Sequence, residues 1–237
     1  LDLLLEALGN QRFDVLWLKG LLRILGIQLH FNLLSSFMYK KIIDKKIEVL
    51  KKQYCPNANI LVEYPNMNKD TEAEVDLRCM KSGENKFILR IFPSFNCIGS
   101  ESQKDFVLRH ELIHVKDAMS PEFKYDYNFL CVIINNIPEF ESVMSKMIWD
   151  LSIDMRLEKE GYSKVLDYGI RINYFKQGFL NLHWTEYINE FSFDINLVKK
   201  LVQDEEVTLD KIKDIASKIK EQFVKKITEK QMKKIFG

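Results

Sequence analysis

Histidine and cysteine are both scarce in this chain of 237 residues, at four each. Cys55, Cys79, Cys97 and Cys131 show no CxxC spacing and none of the density of a secreted disulfide scaffold, so a disulfide framework is excluded and a reduced, cytoplasmic setting is expected. An excess of one charge is missing too. With 35 Lys and Arg against 34 Asp and Glu, nothing in the composition points to a nucleic-acid binder. A long uncharged apolar run is also lacking. Leu1–Phe37 is leucine-rich, but Lys19, Arg23, Gln28, His30 and Asn32 interrupt it before it reaches the roughly 18–20 residues that a membrane span requires. It carries no small-residue cleavage site of a signal peptide. It is expected to form helices broken near Gly9 and Asn10 and again near Gly26; a monotopic membrane anchor is the minority alternative, because broad hydrophobicity is combined with basic residues.

Two of the four histidines stand in FVLRHELIHVKDAM, Phe106 to Met119. His110 and His114 are four residues apart and share one face of an α-helix, with Glu111 beside the first. The spacing suits a chemistry: two imidazoles one turn apart grip a Zn²⁺ ion, and the glutamate reaches the water that the ion activates. Phe106, Val107, Leu108, Leu112, Ile113, Val115 and Met119 supply the apolar body of the helix. Ser102 with Asp105 is the expected N-terminal capping pair, and Pro121 the expected stop.

Before this helix, a lysine-rich helix is expected over Tyr39–Gln53, with Ile42, Ile43, Ile47 and Leu50 inward. Strands are expected at Asn59–Tyr64, Ala73–Cys79 and Lys86–Phe92, joined by connections whose lengths suit antiparallel pairing. After it, PEFKYDYN forms a loop that can overhang the metal, where Tyr125 or Tyr127 can donate to a developing oxyanion.

A second helix is expected from Pro138, in its first turn, to Gly161 at the C′ position. Met144, Met147, Ile148, Leu151 and Met155 line one face. At 100° per residue Asp154 falls at the edge of that stripe, Asp150 further round, and Glu158 near its centre at the helix end. Carboxylates beside a buried face need compensation, and a metal held by His110 and His114 would provide it.

HELIHVKD followed by a helix with WDLSID resembles the gluzincin-type zinc metallopeptidases, especially the small archaeal minigluzincins. The resemblance covers roughly Lys40 to Gly161 and implies a helix and a three-stranded sheet ahead of the HExxH helix, with a third ligand from a later helix. In that clan the later helix often carries ExxxD, the glutamate binding zinc and the aspartate supporting a histidine. The matching positions here are Asp150 and Asp154, so the glutamate is absent. Transferred literally, the pattern makes Asp150 the ligand and Asp154 the support. Helix geometry instead favours Asp154 as the ligand, with Asp150 supporting or replacing it and Glu158 as a further alternative. Asp154 is preferred. Asp117, on the histidine helix itself, suits a supporting or helix-end role.

Tyr162–Gly237 carries no motif tied to chemistry, and His183 beside Trp184 reads as packing or surface. Thr208 can cap a last helix in which Ile212, Ile215, Ile219, Phe223 and Ile227 recur at helical spacing. The expected fold is α+β: a mostly helical, zincin-like core over residues 39–161 with a small antiparallel sheet beside the HExxH helix, flanked by helical regions over 1–38 and 162–237. The expected function is zinc-dependent hydrolysis of peptide or protein substrates with Glu111 as general base, held latent if the terminal helices cover the cleft. The alternative is a metal-stabilised interaction protein whose terminal helices bind a partner or a second copy.

Overall fold

In Lys86–Ile91 burial alternates along the strand, and Phe87, Leu89 and Ile91 are buried on one face. On the other face Arg90 stands between Glu63 and Glu74, its cross-strand neighbours on either side. It bonds both, at 3.1 Å and 3.3 Å. This strand, β3, is therefore the centre of the sheet. β1 (Asn59–Glu63) pairs with it in parallel and β2 (Ala73–Asp76) antiparallel, giving the order β1-β3-β2. The three expected strands are present, but the sheet is mixed and not antiparallel. The connection from β1 to β2 is long enough to leave one strand position vacant, and the most apolar strand fills it.

The computed structural model describes residues 28–67, 71–81, 86–130, 133–134, 137–163, 167–180, 183–204 and 207–236. The expected helices within residues 1–27 lie outside the described residues. The chain divides into two compact units, Leu1–Val49 and Leu50–Gly237. Helix α1 begins at Gln28 in the first unit and ends at Tyr54 in the second. It starts before the expected Tyr39, because no helix breaker lies between. Ile43 and Ile47 are buried as expected, whereas Ile42 is 62 % exposed and does not belong to the inner stripe.

In the second unit, α2 (Glu101–Met119) carries HELIH. It begins a little earlier than expected: Ser100, not Ser102, is the N-cap, and its hydroxyl accepts from the Gln103 N–H at 3.2 Å. Ser120 closes the helix just ahead of Pro121. The segment after it makes a short helix α3 (Tyr127–Leu130) and a two-residue ladder of β4 (Ile133–Ile134) with β5 (Ile137–Pro138). Pro138 therefore sits in that ladder and not in the first turn of α4 (Phe140–Lys159). The α4 terminus is as expected. Gly161 has φ 90°, and the N–H groups of Gly161 and Tyr162 return to the carbonyls of Glu158 and Leu157 at 2.9 Å and 3.0 Å, a Schellman closure.

Met144, Met147, Ile148, Leu151 and Met155 of α4 are all buried. The helix lies against α2, against α5 (Tyr168–Phe175), against α6 (Ile195–Gln203) and against α7 (Leu209–Phe236). Thr208 caps α7, and Ile212, Ile215, Ile219, Phe223 and Ile227 form its buried face as the spacing predicts. Among the described residues no helix is long and apolar enough to cross a membrane.

Candidate metal centre

α2 buries Leu108, Leu112 and Val115, which turns His110 and His114 toward α4. The two Nε2 atoms are 3.1 Å apart. Asp150 of α4 brings Oδ1 to 3.1 Å from His114 Nε2 and 3.8 Å from His110 Nε2. Ligand atoms held tetrahedrally at about 2.0–2.1 Å from one zinc ion stand roughly 3.3 Å from one another, so the three atoms have the right spacing. These three groups can hold a metal ion, and among the described residues they are the set that gathers in this way.

The arrangement around them agrees. Asp154 Oδ1 lies 2.8 Å from His110 Nδ1, so the Nδ1–H donates to the carboxylate and Nε2, which carries a lone pair when the ring is neutral, faces His114 and Asp150. A lone pair and a carboxylate oxygen facing each other repel unless a cation or a proton lies between them. Asp150 and Asp154 thus exchange the roles expected from helix geometry: Asp150 joins the histidines, and Asp154 orients His110. Glu158, the further alternative, is taken up by the hydroxyl of Tyr168 and is outside the cluster.

His114 leans edge-on against Trp149, with ring centroids 4.3 Å apart, and Trp149 stacks on Phe123. The Trp149 indole N–H donates to Asp117 at 2.8 Å, and Arg156 donates to the same carboxylate at 2.9 Å and 2.5 Å. Asp117 therefore supports the site at the end of α2, pinning the helix to α4. Among the described residues the buried His114 Nδ1 has no hydrogen-bond partner.

Electrostatics follow from this packing. For His110, burial opposes the charged form, but the Asp150 and Asp154 carboxylates prevail and push its pKa up to about 9. Burial likewise opposes ionisation of Asp150, and hydrogen bonds to His110 and His114 overcome it and bring its pKa below the usual carboxylate range. Glu111 moves the other way. Burial raises it, aided by Asp150, against the two histidines and the Val75 N–H.

The cluster opens into a cleft of about 760 Å³ between β2, α2, α4 and α5. Tyr125 and, at the start of α3, Tyr127 line it. His183 is exposed, against Phe179 and away from the cluster. Arg171 and Tyr174 of α5 also line the cleft, and the reading of the sequence passed over both. Arg171 donates through Nη2 to Asp154 Oδ1 at 3.1 Å and through Nε to Oδ2. Its only local signal is a cation placed among the apolar residues of YGIRINYF.

Comparison with known proteins finds no family model that matches the chain, no curated protein that matches it and no solved structure that matches it.

Proposed function

We propose that this chain is a zinc-dependent metallopeptidase with His110, His114 and Asp150 as the metal ligands and Glu111 as the general base. The observation that carries the proposal is the position of Glu111: next to a ligand histidine, in an open cleft, and hydrogen-bonded to the edge strand of the sheet. Zinc held by the three ligands supplies Lewis acidity toward a peptide carbonyl and toward water. Glu111 takes a proton onto its carboxylate and passes it to the leaving amine.

Among the described residues β2 has no strand partner on the side away from β3, and an extended peptide fits there. β3 is bonded on both sides, so it offers no free ladder to a substrate strand. The Ala73 carbonyl and the Val75 N–H point to the free edge, where they bond Thr71 Oγ1 and Glu111 at 2.8 Å each. Tyr125 and Tyr127 line the same cleft and are the candidates for stabilising a developing oxyanion.

The rival reading, a metal that only holds the fold together, calls for a fourth protein ligand closing the site. Among the described residues the cluster has three. The deciding experiment measures zinc content, and cleavage of a broad peptide library, for the natural chain and for Glu111→Gln. Zinc in both and cleavage by the first alone is the expected result. A natural chain that holds zinc and cuts nothing sinks the peptidase reading.

A further inference from the structure

We infer that Arg171 is a positioning residue of the metal centre, acting through Asp154 to hold His110 with its Nε2 turned toward the metal. This role rests on the metal reading above. The Asp154 side chain is 1 % exposed, which for an ionised carboxylate demands a compensating cation and filled hydrogen-bond positions. His110 binding a metal must be neutral, so it contributes a hydrogen bond at Asp154 Oδ1 but no charge. Arg171 provides the permanent charge. Its Nη2 reaches Oδ1 at 3.1 Å and its Nε reaches Oδ2. A fork on both oxygens stops the carboxylate from rotating about its own axis, which a point charge does not do.

The position of Arg171 follows from the chain. α5 is N-capped by Asp167, whose side chain accepts from the Gly169 N–H at 2.8 Å, and it packs on α4. The guanidinium therefore enters from the region after Gly161, outside the stretch that carries the histidines and aspartates. Formal charge supports the role. Asp150, Asp154 and Glu111 bring three negative charges, and Arg171 with a divalent ion balances them; Asp150 and Glu111 as well as Asp154 stabilise the charged guanidinium.

The test uses the full chain with Arg171→Met, Arg171→Lys, Asp154→Asn, the Arg171→Met/Asp154→Asn double variant and Lys146→Met, which removes a different cation of the cleft wall. Zinc affinity is measured by chelator competition, and ligand geometry by the visible spectrum of the cobalt(II)-loaded protein. Arg171→Met should weaken zinc binding about 10–100-fold and change the cobalt spectrum, Arg171→Lys should fall between it and the natural chain, and Lys146→Met should match the natural chain. Because the guanidinium acts through Asp154, Arg171→Met should have little further effect once Asp154 is Asn. If Arg171→Met fails to fold, Arg171→Lys carries the comparison. Unchanged affinity and spectrum in the Arg171 variants overturn the role. So does a change only in KM for substrates with a free C-terminal carboxylate, which would make Arg171 a substrate-binding group. A natural chain that takes up no zinc overturns the metal reading, and this role with it.

Discussion

The backbone N–H of Val75 donates to Glu111 Oε2 across 2.8 Å, joining the proposed general base to the free edge of the sheet. The same N–H is one that an added substrate strand would use. Docking of an extended peptide on β2 and release of the Glu111 carboxylate are therefore expected to be coupled.

Val75→Pro tests this contact. The N–H it removes points away from β3, so an edge position tolerates the change. The Val75 N–H lowers the Glu111 pKa, and its loss raises it. The acidic limb of the peptidase pH profile should therefore move to higher pH at unchanged zinc content. An unmoved limb would show that the bond does not act on the base.

The two aspartates of α4 should separate cleanly. Asp150→Ala removes a ligand atom and should abolish stable zinc binding, as should His110→Ala. Asp154→Asn should leave zinc bound, weakened about 10–100-fold. Chelator competition decides between the assignments, because equal losses, or a larger loss for Asp154→Asn, would return Asp154 to the ligand set.

Proton and metal compete for His110. In the metal-free chain its pKa is pushed up to about 9, above its ordinary value near 6.5. Stabilisation from the charged imidazole is thus fully present below about 6.5 and is lost as pH rises through about 9. Denaturant midpoints of the metal-free protein should fall over that window. Zinc affinity should climb over the same window, with proton release on binding visible as a buffer-dependent heat in calorimetry. A flat affinity from pH 6.5 to 9 would contradict the raised value.

Gly161→Ala should destabilise the fold by about 1 kcal/mol, a cost read from a denaturant midpoint. Among the described residues no heavy atom beyond the adjoining chain neighbours lies within 4 Å of the added Cβ, so the effect comes from the backbone at φ 90°.

Local chemistry was legible in the sequence. The helix around HELIH, the stop at Pro121, the glycine that ends α4 and the buried stripe of α7 each depend on residues within a few positions of one another, and all are present. Strand locations were legible for the same reason. Strand order was not, because alternation marks which face of a strand is buried and carries no information on its neighbours; the parallel pairing of β1 with β3 belongs to the assembled sheet.

The exchange of Asp150 and Asp154 has the same origin. The apolar stripe of α4 indicates which side meets the core, and Asp154, nearest to that side, is indeed the more buried, with 1 % of its side chain exposed against 36 % for Asp150. The candidate metal site, however, opens on the flank of the helix, toward a cleft bounded by β2, α2 and α5. The residue further round the helix therefore meets the histidines, and the deeper one supports His110 from behind. Histidine spacing and the glutamate between them were determined along a single helix. The aspartate that joins the two histidines and the arginine behind its neighbour depend on how three helices pack, which only the tertiary structure decides.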